Sequence, residues 1–110
     1  MSQEYPVDIS KGQMMHDFAI TEKFAVFCDA AVAFDPKSMI TKGTLPFSMD
    51  KSQPSRIGLM SRADPTAPMR WFDVRPFAFF HIANAWEEDD KVHVVLCRCD
   101  AASEKHLFTA

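Results

Sequence analysis

Short stretches in which apolar and polar residues alternate recur along the chain, and this two-residue period predicts β-strands. Residues 18–28 (FAITEKFAVFC) predict a strand or a hairpin with Glu22 and Lys23 at its turn, and a second strand is expected at residues 30–34. Further strands are predicted at residues 56–60, 70–74, 77–82 and 92–99, with the acidic run 87–90 as a solvated hairpin turn. Short strands joined by short turns favour a mainly antiparallel β architecture.

One short helix interrupts the strands. Asp35 is a favourable N-cap, Pro36 is favoured as the first helical residue and Gly43 is a stop signal, so residues 37–42 are predicted to form one or two helical turns. Residues 44–68 are rich in Pro and Ser and are predicted to contain many turns. The sequence therefore predicts an all-β fold of antiparallel strands with one short helical segment.

Composition excludes several classes of protein. The chain has 110 residues, of which 47% are hydrophobic and 25% charged, as expected for one small globular unit. A net charge of −3 with scattered Lys and Arg argues against a nucleic-acid partner. The longest nearly apolar stretch, residues 77–86, is too short to span a membrane. The N-terminus lacks a secretory signal, and Cys28, Cys97 and Cys99 are expected to be reduced thiols.

The four histidines differ in their surroundings. His93 lies out of step with the apolar residues of its strand, and His106 follows a polar stretch, so both are expected near the surface. His16 and His81 are embedded in apolar sequence, and a buried imidazole needs a carbonyl, a water or a metal as a partner. From context alone a hydrogen-bonded core histidine is the more common outcome, and a metal ligand is the alternative.

Other catalytic patterns are missing from the sequence. There is no GxSxG elbow, and three glycines leave little capacity for a phosphate-binding loop. Nothing in the sequence brings two carboxylates into one apolar pocket as an acid/base pair, although four are candidates: Asp17, Glu22, Glu87 and Glu88.

Several motifs together resemble one family. HDFAITE begins at residue 16, RIGLMSR at residue 56, WFDV at residue 71 and FHIANAWEE at residue 80. Their order and the interval of 65 residues between His16 and His81 resemble the carotenoid cleavage dioxygenases, most of all the plant and algal branch, over about residues 7–99. The resemblance implies a seven-bladed β-propeller, of which this chain would be an internal part with one to two blades.

The resemblance also implies an iron site. In this family four histidines hold one Fe(II) ion; His16 matches the histidine of the HDF motif and His81 that of the FHxxNAW motif. The other two would lie before residue 1 and after residue 110, so we expect the isolated chain neither to bind iron tightly nor to turn over substrate. The implied reaction is cleavage of a conjugated double bond of a carotenoid or apocarotenoid by O2, giving two carbonyl products.

Alternatives to this interpretation are a non-catalytic β-propeller segment with core histidines and a relative that cleaves a stilbene. A cytosolic or plastid location and peripheral membrane contact of the full protein stay open. Asp17 is expected to bond to backbone rather than to iron, and Asn84 and Glu87 to fasten the turn after the strand that carries His81. Four aromatic residues are expected to be core more often than substrate tunnel: Phe18, Phe79, Phe80 and Trp86.

Overall fold

A computed structural model describes residues 2–9, 12–13, 15–43 and 46–100. Ten strands and one helix follow one another: β1 Ala19–Ile20, β2 Phe24–Asp29, β3 Val32–Phe34, α1 Pro36–Lys42, β4 Phe47–Met49, β5 Ser55–Ser61, β6 Arg70–Val74, β7 Phe77–Ala78, β8 Ile82–Glu88, β9 Lys91–Leu96 and β10 Cys99–Asp100. All the strand pairs are antiparallel. The prediction of antiparallel strands with one short helix is therefore confirmed for the described residues.

The largest sheet has four strands in the order β1-β2-β5-β6. Val26 and Cys28, two residues apart on β2, are fully buried, because alternate side chains of a strand point to the same face. On β5, Gly58 leaves room for the ring of Trp71 on β6, and the Arg56 guanidinium lies 4.3 Å from that ring's centroid. The predicted hairpin at residues 18–28 and the strands at 56–60 and 70–74 are all confirmed.

The segment between β2 and β5 leaves the sheet and forms the β3–α1–β4 excursion. The Asp35 side chain caps α1 by accepting a hydrogen bond from the Lys37 N–H, and Gly43 ends the helix in the left-handed region at φ 61°. These signals were all in the sequence, and the helix is confirmed. Strand β4 was not predicted, because its three residues lie in the turn-rich region and become a strand only by pairing with β3.

A second hairpin, β8–β9, follows the four-stranded sheet. Its turn consists of Asp89 and Asp90, both with positive φ (50° and 58°), which is the backbone of a tight two-residue turn. The expected turn at residues 87–90 is thus too long, because Glu87 and Glu88 belong to β8 and pair with β9. A register shift between Ile82 and Asn84 marks a bulge at the start of β8.

Two predicted strands are each divided in the structure. Residues 77–82 are not one strand: β7 pairs with β10, whereas β8 pairs with β9, so the chain changes partner between Ala78 and Ile82. Residues 92–99 divide for the same reason, because β9 ends at Leu96 and Cys99 pairs with Ala78. Alternation along a sequence does not reveal which strand is the partner, and this explains both errors.

Ser55 ties three of these pieces together. Its hydroxyl is fully buried and accepts hydrogen bonds from the Ala31 N–H at 2.9 Å and the Phe77 N–H at 3.0 Å, while it donates to the Phe77 carbonyl at 3.3 Å. One side chain therefore joins β5 to the residues just before β3 and to β7.

Among the described residues, no helix has the length and apolar character needed to cross a bilayer.

Candidate metal centre

His16 and His81 come from segments far apart in sequence and meet in space. His16 lies in the segment before β1, and His81 lies in the link between β7 and β8. Their ring centroids are 5.0 Å apart, with the ring planes at 79°. The fold thus brings side by side the two histidines that the sequence singled out.

Both rings are exposed in this chain, contrary to the expectation that their apolar neighbours would bury them. The His81 side chain is 75% exposed. Among the residues that the structure describes, the link at residues 79–81 pairs with no strand, so its apolar residues do not enclose the imidazole on all sides. Within the described part of the chain, neither ring makes a hydrogen bond.

Asp17 connects the two histidine segments. Its Oδ1 accepts a hydrogen bond from the Phe18 N–H at 2.9 Å, and its Oδ2 accepts one from the Ile82 N–H at 2.8 Å. Oδ2 also lies 3.9 Å from Nδ1 of His81. The Ile82 hydrogen bond, followed by smaller contributions from Phe18 and the two imidazoles, holds the pKa of the Asp17 carboxyl below its usual value. The expected backbone bonding is confirmed, but the partner 65 residues away was not foreseen.

Phe80 contacts the histidine pair, whereas Phe18 and Trp86 stack on other rings. Phe80 meets the His16 ring edge to face, with centroids 5.9 Å apart, and Phe18 stacks on Phe27 at 5.5 Å. Phe18 is 54% exposed, so this ring is not a core residue in the chain. Trp86 is also exposed and stacks across the hairpin on His93, with centroids 4.9 Å apart. Within this chain by itself, neither residue has the expected core position.

Two charged side chains hold the β1–β2 turn: Glu87 on β8 and Arg62, which directly follows β5. Glu87 accepts a hydrogen bond from the Lys23 N–H at 2.8 Å, and Arg62 donates to the carbonyls of Thr21 and Glu22 at 2.6 and 3.0 Å. The bond from Lys23, more than any other contact, keeps the pKa of Glu87 below its usual value. Glu87 therefore fastens the turn near β1 rather than the turn after its own strand, which corrects the expectation.

The remaining candidates do not join the histidine pair. Asn84 lies at the bulge of β8 and accepts a hydrogen bond from the Ala85 N–H, so its bond is local. His93 lies 4.0 Å from the Glu88 carboxylate on the hairpin, and His106 lies outside the described residues. In the described ranges no three His, Cys, Asp or Glu side chains form a group that could hold a metal ion.

The cysteines are free thiols with different surroundings. Cys28 is fully buried, and this desolvation, with a smaller contribution from the Asp17 charge, raises its pKa to about 12. Cys97 is exposed. Its complete burial makes Cys28 a packing residue.

These strands form an antiparallel β segment in which the imidazoles of His16 and His81 lie side by side. The family model described as retinal pigment epithelial membrane protein, RPE65, matches residues 1–110, and the chain belongs to this family. The resemblance to carotenoid cleavage dioxygenases is thereby confirmed.

Curated relatives and solved structures agree with this assignment. The chain is 46% identical over 99 residues to carotenoid 9,10(9′,10′)-cleavage dioxygenase 1 of Phaseolus vulgaris, which covers 89% of this chain and 18% of that protein. The corresponding protein of Pisum sativum is 42% identical over 101 residues, covering 91% and 19%. Cobalt-substituted Synechocystis ACO superposes with a TM-score of 0.60 at 27% identity, covering 72% of this chain and 17% of that one. The chain thus spans less than a fifth of the length of these relatives.

Proposed function

We propose that this chain is the part of a carotenoid-cleaving dioxygenase that supplies two imidazole ligands, His16 and His81, to a single Fe(II) ion. The observation that carries the proposal is the meeting of these two rings at 5.0 Å, although 65 residues separate them in sequence. A pair of exposed imidazoles without hydrogen bonds in the described residues is chemically suited to a metal. Imidazole is a common ligand of ferrous iron.

The surroundings of the pair fit such an ion. The metal-binding nitrogen of a histidine is usually set by what its other ring nitrogen faces, and Nδ1 of His81 faces the Asp17 carboxylate at 3.9 Å. That arrangement leaves Nε2 as the nitrogen available for a metal. A relative in cobalt-substituted form supports the presence of a metal site in this family. Two ligands are too few for tight binding, so we expect the further ligands to come from residues beyond this chain.

A ferrous ion held there would supply the redox chemistry by which O2 converts a conjugated carbon–carbon double bond into two carbonyl groups. The residues of this chain would hold the ligands, and the Phe80 ring beside His16 and the exposed Phe18 ring would offer apolar contacts to a polyene. Relatives named for cleaving carotenoids at the 9,10 bond and zeaxanthin at the 7,8 bond support a carotenoid or apocarotenoid as the substrate. The four-stranded sheet β1-β2-β5-β6 would be one blade of a propeller that closes only in the longer protein.

The test uses the longest natural protein that contains this chain, loaded with Fe(II) and supplied with a carotenoid in detergent micelles under air. We expect a pair of carbonyl products by chromatography and mass spectrometry, and none without O2. The variant His81→Ala should lose turnover, whereas His93→Ala, which alters a histidine on the hairpin, should keep it. Turnover of a stilbene but of no carotenoid would refute the proposed substrate, and full activity of His81→Ala would refute the role of the histidine pair.

A further inference from the structure

The Asp17 carboxylate links the residue that follows His16 to the residue that follows His81. Asp17 directly follows His16, and its Oδ2 accepts the N–H of Ile82, which directly follows His81. The other oxygen, Oδ1, accepts the N–H of Phe18 and so fixes the orientation of the carboxylate on its own segment. One carboxylate thus joins the two backbones at the first residue after each candidate ligand.

Within the described residues, no strand pairing joins the segment of His16 to the link that carries His81. β7 ends at Ala78, and β8 begins only at Ile82, so the link that carries His81 is not part of a ladder. The first N–H after this link goes to Asp17 rather than to a neighbouring strand. This charge-assisted hydrogen bond is therefore a direct link between the segment of His16 and the link that carries His81.

We infer that Asp17 is a positioning residue that sets the separation and orientation of the His16 and His81 rings through its bridge to the Ile82 backbone. The inference rests on the proposed function in one respect: the bridge holds both rings in place before a metal binds. The bridge needs two acceptor oxygens at the distance of an aspartate. Asparagine offers one acceptor and one NH2 group, which cannot accept the second N–H.

The experiment compares wild type, Asp17→Asn and a matched control, Asp64→Asn, in the longest natural protein that contains this chain. Asp64 is also a hydrogen-bonded carboxylate, but its partners, the N–H and hydroxyl of Thr66, belong to its own turn. Two readouts are needed. Crystal structures of the metal-free proteins give the separation of the two rings, and titration with Co2+ followed by visible absorption gives metal affinity.

We expect the wild-type rings to lie 5.0 Å apart without metal, and the rings of Asp17→Asn to be displaced or scattered. Co2+ affinity should fall about 10- to 100-fold in Asp17→Asn and stay unchanged in Asp64→Asn. An Asp17→Asn protein with wild-type ring positions would overturn the inference. If Asp17→Asn does not fold, Asp17→Glu, which keeps the charge but moves the oxygens by one methylene, takes its place with the same expectations.

The two readouts separate this inference from the proposed function. A wild-type protein that binds no Co2+ would refute the proposed metal site, while displaced rings in Asp17→Asn would still support the positioning role. A wild-type protein that binds Co2+, together with an Asp17→Asn protein of equal affinity and equal ring positions, would refute the positioning role alone.

Discussion

Replacing Ser55 by alanine should loosen two separate parts of the fold at once. Its hydroxyl is the acceptor for two buried N–H groups, those of Ala31 and Phe77, and both residues are at most 7% exposed. Alanine removes the acceptor, and the space that the hydroxyl leaves is too small for a water molecule to take its place. Each buried N–H left without a partner costs about 1–3 kcal/mol, so the two together cost about 2–6 kcal/mol.

Native-state hydrogen exchange read by mass spectrometry measures this effect where it occurs. Since each 1.4 kcal/mol is a factor of ten, protection of the Ala31 and Phe77 amides should fall by about 30-fold to 10⁴-fold, up to the limit set by global unfolding. Ser48→Ala is the matched control, because Ser48 is an exposed serine in strand β4. Ser55→Ala protection within threefold of wild type, or an equal loss in Ser48→Ala, would refute the reasoning.

Three further predictions concern packing, thiol chemistry and pH. Gly58→Ala places a Cβ 2.6 Å from the Trp71 ring and should destabilise the protein by about 1–3 kcal/mol in urea unfolding. Cys97 should be alkylated rapidly at pH 8, whereas Cys28, with a pKa of about 12, should react only after denaturation, as mapped by mass spectrometry. Folding lowers the pKa of Glu87. The free energy that the Glu87 contact contributes to folding is therefore complete above the usual pKa of 4.5 and is lost as the pH falls through the lower folded pKa. Glu87→Gln should flatten this acid limb of the curve of stability against pH.

Matched variants and specific outcomes decide each of these three. Gly12→Ala adds a Cβ with nothing within 4 Å and should leave stability unchanged; an equal loss in both glycine variants would contradict the packing argument. Alkylation of Cys28 at the rate of Cys97 in the native protein would contradict the burial of its thiol. Glu4→Gln alters an exposed glutamate and should keep the wild-type acid limb, and a wild-type limb in Glu87→Gln would refute the turn contact.

Local signals made part of the fold predictable. The helix follows from Asp35, Pro36 and Gly43, each of which acts within one helical turn, and the strand at residues 70–74 follows from its own alternation. The strand at residues 47–49 and the break after Ala78 depend on which distant strand is the partner. That information is tertiary, and three-residue stretches carry too little pattern to reveal it.

At the candidate site, too, local patterns were predictable from the sequence and long-range contacts were not. The motifs around His16 and His81 identified both residues, but not that the two rings would be exposed. The role of Asp17 was foreseen as backbone bonding, which any residue of its type favours, whereas its partner Ile82 is set by the meeting of two segments. Glu87 was assigned to the wrong turn for this reason, since its true partner, Lys23, is 64 residues away.

The central claim is that His16 and His81 together hold one metal ion, and metal stoichiometry tests it most directly. The longest natural protein that contains this chain would be loaded anaerobically with Fe(II), passed through a desalting column and analysed for iron. We predict one iron per protein for wild type and for His93→Ala, little for His16→Ala or His81→Ala, and none retained by the isolated 110-residue chain. Full iron retention by His16→Ala or His81→Ala, or stoichiometric Fe(II) on the isolated chain, would contradict the account.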